Sequence, residues 1–83
     1  MKLLYFAWVR QKIGKSEETL ALPAGVSTVR DLAGHLRTRG PGYAEAFADL
    51  ARLQAAANLE NVGFDTRLSD GDEIAFFPPV TGG

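Results

Sequence analysis

An α+β domain is the fold class this sequence predicts: a thin sheet carrying one main helix and a short second helix. Three observations predict it. Breaker-free runs rich in aromatic and apolar residues stand near both ends of the chain, as strands require. Val29, Leu32, Ala33 and Leu36 recur at helical spacing just behind a Ser-Thr pair. A chain of 83 residues without cysteine can bury one modest core, with no disulfide to brace it.

Lys2 to Val9 reads as the first strand. Alternation places Leu3, Tyr5 and Ala7 on one face and Lys2, Leu4, Phe6 and Trp8 on the other. Charge at Lys2 marks the second face as the outer one. Gln11 to Lys15 is expected to form a hairpin loop around Gly14, and Ser16 to Leu22 a second strand ended by Pro23-Ala24-Gly25. The main helix is predicted from Thr28 to Arg39. Thr28 and Asp31 have the spacing of a capping box, and Gly40-Pro41-Gly42 is expected to stop the helix.

Tyr43 to Ala51 is predicted as the second helix, with Ala44, Phe47, Ala48 and Ala51 on one side. Helix propensity alone would carry it to Ala57. A sheet made of one hairpin and one last strand is thin, however, so Leu53 to Ala57 is assigned to a strand and Asn58 to a turn. Phe64 to Ser69 reads as a loop and Asp70-Gly71 as a tight turn. Glu73 to Phe77 is the last strand, with Ile74 and Phe76 facing the core and Glu73, Ala75 and Phe77 facing outward. Pro78-Pro79 forbids further regular pairing, because neither residue has an N–H to donate. The expected organisation is one folded domain over residues 1–77 and a flexible C-terminal tail over 78–83.

Composition narrows the function. The formal net charge is −1, and the nine lysines and arginines form no block, so no nucleic-acid footprint is expected. No apolar run is long enough to cross a bilayer and the N-terminal run does not fit a signal peptide, so no membrane partner and a cytoplasmic location are expected. Gly14-Lys15-Ser16 resembles the end of a phosphate-binding loop, but that motif needs glycine where Val9 stands. His35 is the only histidine, and no nucleophile and orienting group are singled out to join it in a catalytic set. Asp70, Asp72 and Glu73 lack calcium-loop spacing and read as a turn with a charged strand edge.

The end of the chain holds the remaining candidate chemistry. Pro78-Pro79 is a stiff spacer, Val80 and Thr81 favour extended backbone, and Gly82 and Gly83 could enter a narrow tunnel. The Gly83 carboxylate is the candidate reactive group. Ordering such a tail costs about 1–2 kcal/mol per residue. Phe6 and Phe77 share the outer face and could offset that by burial against a partner, at roughly 1.5–3 kcal/mol each. A bare Gly-Gly end, taken alone, reads more readily as an inert tail or a cloning scar.

The run Gly71-Asp72-Glu73-Ile74-Ala75-Phe76-Phe77-Pro78-Pro79-Val80-Thr81-Gly82-Gly83 is more specific. It resembles the molybdopterin synthase small subunit family, the ubiquitin-like sulfur carriers. Leu4-Tyr5-Phe6-Ala7-Trp8-Val9-Arg10, Ser27-Thr28-Val29-Arg30-Asp31-Leu32 and Ala57-Asn58 agree with it. The resemblance spans nearly the whole chain and is weakest from Gly40 to Ala51. It implies a β-grasp fold, a mixed sheet whose first and last strands are adjacent and parallel. It also implies a docking face of Phe6, Phe77 and Asn61, and a tail of Pro78, Pro79, Val80, Thr81 and Gly82 threaded into a partner. That family usually has an apolar pair where this chain has Asn61-Val62.

The chemistry the resemblance implies takes place on Gly83. An adenylyltransferase similar to ubiquitin-activating enzymes would use ATP and magnesium to form an acyl-adenylate; this chain itself would bind no cofactor and no metal. A persulfide protein would supply sulfur, leaving a thiocarboxylate. The carrier would then donate that sulfur to cyclic pyranopterin monophosphate in molybdenum cofactor biosynthesis. It would do so on the synthase large subunit, which would hold the catalytic side chains, in a heterotetramer. Two other readings stay open: a sulfur carrier for thiamine, cysteine or tRNA thiolation, and a ubiquitin-like tag or binding module.

Overall fold

The computed structural model describes residues 1–79. Five strands form one sheet within them: β1 (Lys2–Tyr5), β2 (Glu17–Thr19), β3 (Gln54–Ala57), β4 (Glu60–Val62) and β5 (Glu73–Phe77), in the order β2-β1-β5-β3-β4. The first and last strands are adjacent and parallel at its centre, with Tyr5 beside Phe76, and the other pairings are antiparallel. This is the β-grasp arrangement. Leu3, Tyr5, Ala55, Ile74 and Phe76 point inward and are buried, as alternation requires.

Helix α2 (Val29–Arg37) lays its stripe of Val29, Leu32, Ala33 and Leu36 into that core, all fully buried. Its start is the expected capping box. Asp31 N–H donates to the Thr28 hydroxyl at 3.2 Å, and the Asp31 carboxylate accepts from Thr28 N–H at 3.2 Å. Two further orphan N–H groups of the first turn, on Val29 and Arg30, donate to the carbonyls of Thr66 and Phe64, which docks the 64–69 loop on the helix. The helix ends two residues earlier than predicted. The Thr38 hydroxyl donates to the His35 carbonyl at 2.6 Å and closes the last turn.

The first strand is shorter than predicted. It stops at Tyr5, and Ala7–Ile13 forms a helix, α1, where strand and hairpin loop were expected. The reason lies on the neighbouring strand. Phe6 N–H still donates to the Phe76 carbonyl at 3.2 Å, but the next rung would need an N–H on Pro78. The Phe6 carbonyl instead accepts from Val9 N–H at 3.1 Å, which opens the helix. Val9 is buried and Ile13 packs beside it one turn on. Gly14, at φ 89°, is the left-handed C-terminal cap of α1 rather than a hairpin turn.

Strand β2 is also shorter than Ser16–Leu22. Ser16 and Leu20 keep single backbone bonds to β1 and Met1, but Leu22 N–H donates to the Asp70 carboxylate at 2.8 Å and so leaves the ladder. Between α2 and β3, Pro41 starts a helix instead of marking only a stop. Helix α3 (Pro41–Ala46) has proline in its first turn, where the missing N–H does no harm. Its buried side is Tyr43, Ala46 and Phe47, whereas Ala48 and Ala51 are exposed, so the predicted alanine stripe was displaced. A Cβ on Gly42 would run into the Lys12 carbonyl, which shows how closely α3 crosses α1. A 3₁₀ turn at Leu50–Arg52 then leads into β3, as the strand assignment for this segment required. Strand β4 was not anticipated. Phe47 closes the core against Phe76, edge to face, with centroids 4.9 Å apart.

Candidate functional site

The register of the sheet composes its outer face row by row. Leu4 lies beside Ala75, Ala75 beside Ala56, and Ala56 beside Asn61. One rung toward the C-terminal end of β5, Phe77 lies beside Gln54, while Phe6 follows β1 on the other side. The small side chains of Ala56 and Ala75 leave space between larger neighbours. The result is a groove of about 320 Å³ lined by Leu4, Phe6, Ala56, Ala75 and Phe77, with Glu73 and Leu59 at its margins. Phe6 is 47% exposed, and Phe77 is half-buried. The two phenylalanines that alternation placed on one face therefore do share one apolar groove.

Asn61 is exposed on the same face, across the ladder from Ala56, but does not line this groove. Leu59 does, a residue that no strand or helix pattern in the sequence singles out. It is 91% exposed and, with Asn58, forms the two-residue turn between β3 and β4 at positive φ (51° and 73°). Asparagine followed by glycine is the usual composition of such a turn. A leucine in the glycine position was the signal available.

Pro78 is half-buried and Pro79 exposed. The rest of the predicted tail, Val80, Thr81, Gly82 and the reactive Gly83, lies outside the described residues. Strand β5 thus carries Phe77 as its last residue, directly before the proline pair.

The other candidates of the sequence have local structural work. Asp70 accepts from Leu22 N–H. Asp72 accepts from Ser69 N–H at 2.8 Å and from the Asn58 amide at 3.1 Å, and these bonds hold its carboxyl below the usual carboxylate range. Among the described residues no cluster of three His, Asp or Glu side chains is placed to hold a metal ion. A second hollow, between α1 and α3, has Trp8 under the Arg52 guanidinium at 5.5 Å and a Lys12–Glu45 pair at 3.2 Å. Asp49, also on its wall, accepts from Ala51 N–H at 3.0 Å. No helix among the described residues is long and apolar enough to cross a membrane.

Fold and face together define a ubiquitin-like β-grasp protein with an apolar groove on the sheet at the root of a Gly-Gly end. The chain belongs to the ThiS family, whose family model matches residues 3–83, and within it to the molybdopterin synthase sulfur carrier subunits. It is 45% identical to the molybdopterin synthase sulfur carrier subunit of Escherichia coli strain K12, over 100% of this chain and 99% of that protein. Identity to the Haemophilus influenzae subunit of the same description is 35%, with the same coverage. In structure it is similar to SAMP1 from Haloferax volcanii, with a TM-score of 0.72 at 25% identity, covering 100% of this chain and 98% of that one.

Proposed function

We propose that this chain is the sulfur carrier subunit of a molybdopterin synthase, docking by its outer sheet face and reacting at the main-chain carboxylate of Gly83. One observation carries the reading: the apolar groove is built on the same strand, β5, that leads through Pro78-Pro79 into the terminal residues. A partner that covers Phe77 thereby fixes where the tail begins, and only the last few residues need ordering in its active site. End-to-end relatedness to sulfur carrier subunits supports the same assignment.

A carboxylate at neutral pH is a poor electrophile, being charged and without a leaving group. In the proposed cycle an activating enzyme spends ATP, with magnesium, to join Gly83 to AMP and release pyrophosphate. A persulfide sulfur from a donor protein attacks the acyl carbon and AMP leaves. Reduction of the resulting acyl disulfide by a thiol frees the thiocarboxylate. Docked on the large subunit, the carrier gives this sulfur to cyclic pyranopterin monophosphate, and two charged carriers are used per dithiolene. The chain has no cysteine, so no thiol of its own can intercept the adenylate.

Deleting Gly83 tests the assignment. Incubation of the intact chain with ATP, the activating enzyme and a sulfur donor should give an oxygen-to-sulfur mass increase on the C-terminal peptide, and the truncated chain should show none while keeping its fold by circular dichroism. Normal sulfur transfer by the truncated chain would refute the proposal. Isopeptide bonds from Gly83 to partner lysines would point to a protein tag instead.

A further inference from the structure

Leu59 breaks two rules at once. It is a large apolar side chain left 91% exposed, and its backbone sits at φ 73°, where a residue with a Cβ is strained. Neither feature serves the fold. So exposed a side chain adds nothing to the core. The turn is held by its neighbour: the Asn58 side chain donates to Asp72 at 3.1 Å and accepts from Glu73 N–H at 3.0 Å, and Asn58 N–H donates to the Glu73 carbonyl at 2.8 Å. Glycine at 59 would make the same turn without strain.

What Leu59 does have is position. Phe6 and Phe77 give the groove its bulk at the end where β5 runs into the tail. On the β3–β4 side the outward-facing residues are Ala56, which is small, and Gln54 and Asn61, which are polar. Leu59 is the large apolar group on that side, and it lines the same groove. Glu73 is the groove's one charged member.

We propose that Leu59 is a specificity-determining anchor of the docking face, seated in an apolar pocket of the synthase large subunit that has a cationic side chain within reach of Glu73. This rests on the function proposed above and adds to it the residue that sets which large subunit fits. A partner shaped for an apolar strand residue at 61, with a polar surface opposite the turn, would be rejected.

The experiment compares the wild-type chain, Leu59→Gly and Leu59→Met, measuring the thermal midpoint of each alone and its Kd for the large subunit of molybdopterin synthase from the same source. Leu59→Gly should leave the midpoint unchanged or raise it by a few degrees, because strain is relieved, yet weaken binding by about tenfold or more. Leu59→Met should bind within a few-fold of wild type. An unchanged Kd for Leu59→Gly overturns the inference, and so does weaker binding accompanied by a lower midpoint, which would mean a structural role. Failure of the wild-type chain itself to bind the large subunit would instead defeat the parent proposal, and this inference with it.

Discussion

Strand β1 separates two regions that treat their side chains in opposite ways. On its outer face, Leu4 and Phe6 join Phe77 and Leu59 in a groove of apolar groups that no other described residue covers. Toward the β2 edge, Tyr5 enters a polar cluster in which every group has a partner. Its hydroxyl donates to Glu18 at 2.8 Å, the Tyr43 hydroxyl donates to the same oxygen at 2.6 Å, and Arg39 donates to the other oxygen at 2.9 Å, with Lys15 at 3.6 Å. Among the described residues no buried side-chain nitrogen or oxygen lacks a partner. The difference teaches where to look for function. The polar cluster is satisfied internally and ties β2 to α3 and to Arg39 just beyond α2, whereas the groove gains only when something else covers it.

Adjacent phenylalanines on β5 give the sharpest way to break that contrast. Phe76 is fully buried against Phe47, and Phe77 faces the groove. Phe76→Ala should cost about 3–5 kcal/mol of stability, enough to threaten so small a domain. Phe77→Asp should cost about 1 kcal/mol or less in stability but weaken large-subunit binding by roughly a hundredfold or more, since an unpaired charge would enter an apolar contact. Urea denaturation and a binding titration on each variant suffice. If Phe77→Asp unfolds as readily as Phe76→Ala, the face assignment is wrong.

The polar cluster should respond to acid. Burial pushes the Glu18 carboxyl up, but hydrogen bonds from Tyr43, Tyr5 and Arg39 outweigh it, so its pKa lies below the ordinary 4.5. A depressed carboxyl binds fewer protons folded than unfolded, so its stabilisation is present above about pH 4.5 and is lost as pH falls through the folded value. Glu18→Ala also leaves the buried Tyr5 hydroxyl without its acceptor and should cost about 1–3 kcal/mol at neutral pH. The gap between wild type and variant should shrink as the pH drops below 4.5. Asp31 and Asp72 are depressed too, by bonds from Ser27 and Thr28 and from Ser69 and Asn58, so the difference curve isolates Glu18 where the wild-type curve alone does not. Binding of the large subunit should be unaffected at neutral pH, and a loss there would join the two regions into one.

How far each region could be read from sequence follows the same division. Capping at Thr28 and Asp31, the α2 stripe and the alternation of Glu73–Phe77 are local rules, and all three hold in the structure. The resemblance supplied the parallel pairing of β1 with β5, which no local rule can give. Helix α1 escaped because Gly14 suits a hairpin turn as well as a helix cap, and because the decisive fact, the missing N–H of Pro78, sits far along the chain on another strand. Strand β4 and Leu59 escaped together. Glu60–Val62 is too short for its pattern to register, and Leu59 matters only through being strained, exposed and beside the groove, properties of the folded chain that no local pattern carries.

The smallest predicted effect concerns the bend that follows the groove residue Phe6. Ala7 is exposed, follows Phe6 and has φ 54°, the left-handed conformation, at the bend where β1 gives way to α1. That conformation disfavours a Cβ by roughly 1–2 kcal/mol, while glycine loses about 0.5–1 kcal/mol more than alanine in backbone entropy on folding. The balance favours Ala7→Gly by up to about 1.5 kcal/mol, a rise of at most several degrees in thermal midpoint for a domain of this size. Binding should be untouched, because Ala7 does not line the groove. A variant that melts earlier, or that keeps its midpoint and loses binding, would show that the bend holds Phe6 in place through the stiffness of alanine. The groove would then depend on backbone rigidity at this junction as well as on its own lining.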